Sequence, residues 1–171
     1  MKIRVFGTVN DSIVDGPGLR YVVFTQGCLH RCVGCHNPQS HDLKGGYFKD
    51  IDDLLVDIDQ NPLLDGVTIS GGEPFLQVEP LIDFVKKVKQ RGLHVMIYSG
   101  YTYEDILSLS DQAKLLLSLC DTLVDGRFIL SQRSLSLLYR GSSNQRIINI
   151  PLSLQMHQVM IQNVNEYGQF C

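Results

Sequence analysis

Charge is scarce in this chain, and long apolar runs are missing. Charged residues make up 19% of the 171, below the roughly 25% usual for soluble domains. Neither sign dominates: 15 Lys and Arg stand against 18 Asp and Glu, a net charge of −3. A balance so near neutral argues against a nucleic-acid binder driven by phosphate contacts. No stretch approaches 18 consecutive apolar residues; Leu115–Leu119 is already broken by Ser118. No membrane span is therefore expected. No apolar run of signal-peptide length follows the charges of Met1–Phe6, so a secretory leader is not expected either. Repeats and low-complexity tracts are absent. An even cysteine count is lacking too: there are five Cys. A disulfide framework is not expected, and metal or redox chemistry is the better reading. What is present suffices for one core. Apolar residues make up 44%, which excludes disorder and predicts one domain over residues 1–171.

Along the chain, the first 20 residues are rich in Gly, Asp and Pro and end in Asp15-Gly16-Pro17-Gly18, which reads as turns. Tyr21–Thr25 is β-branched and aromatic, a buried strand. Gly27–Gly46 holds three Cys, three His, four Gly and one Pro. It is a loop by composition, and too long for an idle connection. Alternation then sets in. Helical stripes cover Ile51–Ile58 and Val78–Val88, with Gly92 as a C-terminal cap. A further helical stretch, Tyr103–Leu119, breaks near Asp111, and its Leu and Ile stripe is expected to face the core. Strands are expected at Gly66–Ser70, His94–Tyr98, Thr122–Val124 and Ile147–Ile150, the last stopped by Pro151.

Strand–helix alternation predicts an α/β fold of βα units with a mainly parallel sheet. Ligands gather at the carboxyl ends of such strands. Four loops then share one rim: the Cys loop, Ser70–Pro74, Ser99–Tyr101 and Asp125–Arg127.

Cys28, Cys32 and Cys35 are spaced C-x3-C-x2-C. Three thiolates within eight residues can face one centre. Structural zinc wants four ligands, and electron-transfer clusters usually have four Cys. Three Cys on a 4Fe–4S cluster leave one iron open to a small molecule. Zinc with His30, His36 or His41 as fourth ligand is the plainer alternative. A redox dithiol of Cys32 and Cys35 is another, but it leaves Cys28 unexplained. Cys120 reads as core and Cys171 as exposed, while His94 and His157 read as structural.

The C-x3-C-x2-C loop after a strand resembles the cluster motif of the radical S-adenosylmethionine (SAM) superfamily. Ser70-Gly71-Gly72-Glu73-Pro74 is similar to that superfamily's GGE motif, which meets the amino group of SAM. Together they outweigh zinc. Asp15-Gly16-Pro17-Gly18-Leu19-Arg20, Gln26-Gly27-Cys28 and Cys35-His36-Asn37-Pro38 resemble the activating family of glycyl-radical enzymes. Val124–Phe128 and Arg140-Gly141-Ser142-Ser143-Asn144-Gln145-Arg146 look like the branch acting on the anaerobic (class III) ribonucleoside-triphosphate reductase. His36-Asn37-Pro38 is closer to the activators of pyruvate formate-lyase. The usual aromatic before the third Cys is Gly34 here, so adenine stacking has to come from elsewhere.

The resemblance implies a partial (open) βα barrel of the radical SAM type. It implies one 4Fe–4S cluster on Cys28, Cys32 and Cys35, and SAM bound near Gly34, Cys35, His36, Gly71, Gly72 and Glu73. Reductive cleavage of SAM then yields a 5′-deoxyadenosyl radical that takes hydrogen from a glycine of the partner. The implied partners are the reductase large subunit, through its glycine loop, and an external donor such as flavodoxin or ferredoxin. Nucleic acid and membrane are not among them, and the cytoplasm is the expected compartment. Pyruvate formate-lyase or another glycyl-radical enzyme is the alternative partner. A metal-bearing binding module without SAM chemistry is the alternative of another class. Thiolates suit iron–sulfur clusters; Gly71 and Gly72 allow close backbone approach; Glu73 can accept a charge-assisted hydrogen bond. Tyr98–Gly100 shares the rim and is a candidate SAM contact. Asp15–Arg20 is expected along the groove for the partner's glycine. Arg140–Arg146 has no role that the residues themselves disclose.

Overall fold

A computed structural model describes residues 1–171. Its frame is one seven-stranded sheet. The strands are β1 (Lys2–Ser12), β2 (Arg20–Thr25), β3 (Tyr47–Asp50), β4 (Gly66–Gly71), β5 (His94–Tyr98), β6 (Thr122–Asp125) and β7 (Arg146–Asn149). They lie in the order β3-β1-β2-β4-β5-β6-β7. The central four, β2, β4, β5 and β6, are mutually parallel. The margins are antiparallel: β1 and β3 at one side, β7 at the other.

The helices are α1 (Ile51–Asp59), α2 (Val78–Gln90), α3 (Tyr103–Leu109), α4 (Asp111–Leu119) and α5 (Ile150–Met156). Local chemistry sets their ends. Asp50 caps α1 by accepting from the Asp52 amide. Thr102 and Asp105 form a capping box on α3. Ser110, extended at φ −171°, ends α3 and caps α4 through the Ala113 amide. That serine is the break expected near Asp111. Gly92, at φ 74°, follows α2 in the left-handed conformation that stops a helix.

Alternation along the central strands divides the buried residues between two faces. Tyr21, Val23, Val67, Ile69, Val95, Ile97 and Leu123 join the helices in a core of 28 buried residues. The opposite face carries Met96, Val124 and Ile147, with Tyr98, Tyr139, Val164 and Phe170 packed against them. Cys120 is buried in the helix-side core, as expected. No helix is long and apolar enough to cross a membrane.

Two expectations are corrected. The first 20 residues are not all turn, because Lys2–Ser12 is an eleven-residue strand. Only Ile3, Val5 and Ser12 of it are buried. It is held by pairing with both β2 and β3 rather than by its own apolar pattern. The fifth expected strand exists, but it runs antiparallel to β6. The connection into it, residues 126–145, contains no α-helix to carry the chain back. Pro151 ends the strand and sits in the first turn of α5, where its missing N–H costs nothing. Residues 160–162 then pair with β7, the Gln162 amide donating to Ile147 O and the Asn149 amide to Met160 O.

Candidate cluster and cofactor site

The carboxyl ends of β2, β4, β5 and β6 carry the four loops expected there. The cysteine loop is stitched at its root. The Gly27 amide donates to Ser40 O at 2.7 Å and the Cys28 amide to His41 O at 3.2 Å. The Gln26 side-chain amide spans the same closure, donating to Gln39 O and Asp42 O. The β4 loop docks on this root: the Glu73 amide donates to Gly27 O and the Gly72 amide to Thr25 O, each at 2.8 Å. A Cβ at Gly72 would run into the Gly27 carbonyl oxygen. Gly71 has φ 97°, and a Cβ there would strike the Thr25 backbone. Both glycines are therefore required by the closeness of two backbones.

Cys28, Cys32 and Cys35 all line one cavity of about 390 Å³, together with Gly71, Gly72, Ser99, Gly100, Arg127 and Phe128. That volume lies within the usual range of small-molecule sites, roughly 300–1,000 Å³. Burial pushes the Cys28 thiol above its ordinary value, so its thiolate profits from a metal that takes up the charge. No three His, Cys, Asp or Glu side chains gather closely enough to hold a single ion.

Glu73 is engaged by its neighbours. It is 1% exposed, and its carboxylate accepts four hydrogen bonds. Oε1 takes His30 Nε2 at 2.7 Å, Ser99 Oγ at 2.8 Å and the Gly100 amide at 2.8 Å. Oε2 takes the Phe75 amide at 3.0 Å. The acid thus ties the Cys loop, the β4 loop and the β5 loop together. His30 completes the joint: its ring meets Tyr101 edge-on at 4.7 Å and abuts Gly100, where no Cβ would fit. The structure brings Gly71 and Gly72 to the cavity wall and leaves Glu73 behind it.

Gly34, with φ 76°, has the Phe128 ring and Leu130 as its neighbours. The same Phe128 ring lies 5.0 Å from the His36 ring. The β6 loop thus sets an aromatic ring beside Gly34 and His36 on the cavity lining.

That loop is held by Arg140–Arg146, for which sequence reading found no role. Gln145 Oε1 accepts from the Gly141 and Ser142 amides, while its Nε2 donates to Gly126 O. Asn144 Nδ2 donates to Arg127 O, and Ser142 Oγ accepts from the Ile129 amide. Arg146 spans Asp125 and Glu104. No signal in the residues alone could have paired these segments, since their polar atoms meet only in three dimensions.

Of Asp15–Arg20, Asp15 reaches the cavity. Arg20 is 1% exposed and lies under the sheet. It donates to Thr68 Oγ1, Pro17 O and Val67 O and packs against His94 Nδ1. Burial lowers it to about 10.

Residues 14–148 match the family described as a 4Fe-4S single cluster domain. The chain is 36% identical over 145 residues to the anaerobic ribonucleoside-triphosphate reductase-activating protein of Haemophilus influenzae, covering 79% of this chain and 90% of that protein. The chain belongs to the glycyl-radical-activating family of radical SAM proteins. The namesake protein of Vibrio cholerae is 34% identical, again over 79% of this chain and 90% of its own length. The pyruvate formate-lyase-activating enzyme of Clostridium pasteurianum is 43% identical over 117 residues, 63% of this chain and 49% of that enzyme. Among solved structures, QueE from Escherichia coli matches with a TM-score of 0.48 and 18% identity, over 60% of this chain and 54% of that one. Membership in the activating family brings a 4Fe–4S cluster and SAM. The donor set fits: three soft thiolates share one cavity, and two cramped glycines form its wall.

Proposed function

We propose that the protein generates a glycyl radical on anaerobic ribonucleoside-triphosphate reductase. The observation that carries this reading is the convergence of Cys28, Cys32 and Cys35 with Gly71 and Gly72 on one cavity. The relatives matched along 90% of their own length bear that reductase's name. Cys28, Cys32 and Cys35 would hold the cluster, which supplies the electron that splits SAM into methionine and a 5′-deoxyadenosyl radical.

The remaining work belongs to the chain's own residues. The backbones of Gly71 and Gly72 form the wall that receives the amino-acid end of SAM. Glu73 holds that wall against the Cys loop rather than meeting SAM itself. His36 and Phe128 flank the place beside Gly34 where an adenine is bound. The open mouth, bordered by Asp15, admits the partner's glycine loop. An open βα barrel is the fold type we infer; its support is that the central parallel strands advance in one direction, β2-β4-β5-β6, with the core helices on one face. Residues 1–171 act as one such domain, in the cytoplasm, where a reduced cluster survives.

The test is anaerobic reconstitution with iron and sulfide, reduction, and addition of SAM. We expect 5′-deoxyadenosine, and a glycyl-radical electron paramagnetic resonance signal once the reductase large subunit is added. Cys28→Ala, Cys32→Ala and Cys35→Ala should each abolish both. A brown cluster that cleaves no SAM, even with the reductase present, sinks the reading in favour of a metal-bearing binding module. A second partner has one specific support. Cys35-His36-Asn37-Pro38 and the 43% identity over 117 residues favour pyruvate formate-lyase. A radical formed on that enzyme but not on the reductase would transfer the assignment to it.

A further inference from the structure

Cys28 borders a second opening, besides the cavity it shares with Cys32 and Cys35. This one, of about 510 Å³, is walled by Leu29, Arg31, His41, Leu43 and Lys44, with Asp42. The chain therefore exposes one thiol to two sides: towards the glycine rim, and out through this opening. Leu29 and Leu43 are 57% and 51% exposed. Arg31 and Lys44 are exposed as well. Neither cation has a carboxylate within ion-pair distance, so both charges face solvent at the opening. Asp42 is the opening's one acid, and its Oδ1 is occupied by the Lys44 amide. Behind the opening, Arg4 donates to Lys44 O and Gly45 O, adding a third cation without a carboxylate partner.

We propose that this opening is the docking face for an acidic, low-potential one-electron carrier protein, which reduces the cluster through Cys28. The inference rests on the cluster reading above. Electron transfer weakens steeply with distance, so a donor works best against a ligand thiolate. Here it reaches Cys28 without entering the cavity that takes SAM. Exposed leucines flanked by two exposed cations against one acid suit a small, short-lived redox encounter with an acidic surface. The cations raise the encounter rate although the whole chain carries −3. The step is a one-electron exchange. The carrier loses one electron, the cluster passes from the 2+ to the 1+ state, and no proton or group moves.

The test is stopped-flow reduction of the reconstituted protein by flavodoxin hydroquinone, with dithionite as a small reductant that needs no docking. In Arg31→Glu/Lys44→Glu, reduction by flavodoxin should slow about tenfold or more and lose its sensitivity to salt. Reduction by dithionite and dithionite-driven SAM cleavage should stay unchanged. The charge-keeping pair Arg31→Lys/Lys44→Arg should retain the flavodoxin rate. Zero-length carbodiimide crosslinking of flavodoxin carboxylates to the unaltered protein should mark Lys44, a readout that needs no variant. An unchanged flavodoxin rate in the charge-reversed protein overturns the proposal, as do crosslinks that fall on other lysines and spare Lys44. Either result leaves SAM cleavage standing. Absence of dithionite-driven cleavage in the unaltered protein, with the reductase present, instead removes the radical SAM reading and this inference with it.

Discussion

Glu73 accepts from His30, Ser99, Gly100 and Phe75, and each donor belongs to a loop that shapes the cavity or its support. A carboxylate can satisfy four donors; a carboxamide offers one oxygen and turns an NH2 group towards the rest. Glu73→Gln should therefore leave buried donors unpaired, at about 2–3 kcal/mol for a group joined by charge-assisted bonds. For a chain of this size that corresponds to a fall in melting temperature of roughly 5–10 °C. Thermal melts of the variant check it. Should Glu73 be chiefly a SAM ligand, the melt would stay put and only SAM affinity would change.

The next scale is the pairing of segments. The β6 loop brings Phe128 to Gly34 and His36, and Gln145 keeps it there through Gly126 O. The strand β6 needs no such help, since Thr122–Asp125 is buried between β5 and β7. Gln145→Ala should therefore free the loop while sparing the sheet. The expected outcome is a cluster of unchanged spectrum and SAM binding weakened about tenfold, the equivalent of roughly 1.4 kcal/mol. Titration with S-adenosylhomocysteine followed by calorimetry measures it. Unaltered affinity would show that Phe128 does not face the nucleoside.

At the scale of the whole molecule, the face of the sheet opposite the helices holds a buried polar joint that makes stability depend on pH. His94 contacts Arg20 at Nδ1 and Thr122 at Nε2, with the Phe170 ring beside it. Burial, with Arg20 and Lys89 adding repulsion and Asp121 opposing them, lowers His94 from 6.5 to about 4. Between those values the unfolded chain binds a proton that the folded chain refuses. Stability from this source is complete above about pH 6.5 and is lost as the pH falls towards 4. Urea unfolding at pH 7 and pH 5 should show the loss, and His94→Gln should flatten it. An equal loss in the variant would assign the pH dependence to other groups.

The sequence by itself determined the parts that rest on local periodicity and on covalent spacing. Hydrophobic stripes placed α1, α2 and the α3–α4 pair, because a helix buries every third or fourth residue whatever it packs against. The C-x3-C-x2-C loop and Gly71-Gly72 announced a cluster site, because thiolates and absent side chains are tied to their chemistry. Tertiary structure decided the rest. Strand β1 has a mostly polar run and exists because both its edges are paired. Glu73 acquired a bracing contact because its four donors come from residues 2 to 43 positions away. The fold set Phe128 beside Gly34, and the segment from Arg140 to Arg146 acquired a role as support of that loop. Hydrogen bonds between distant segments leave no periodic trace, so only folding reveals which polar residues meet.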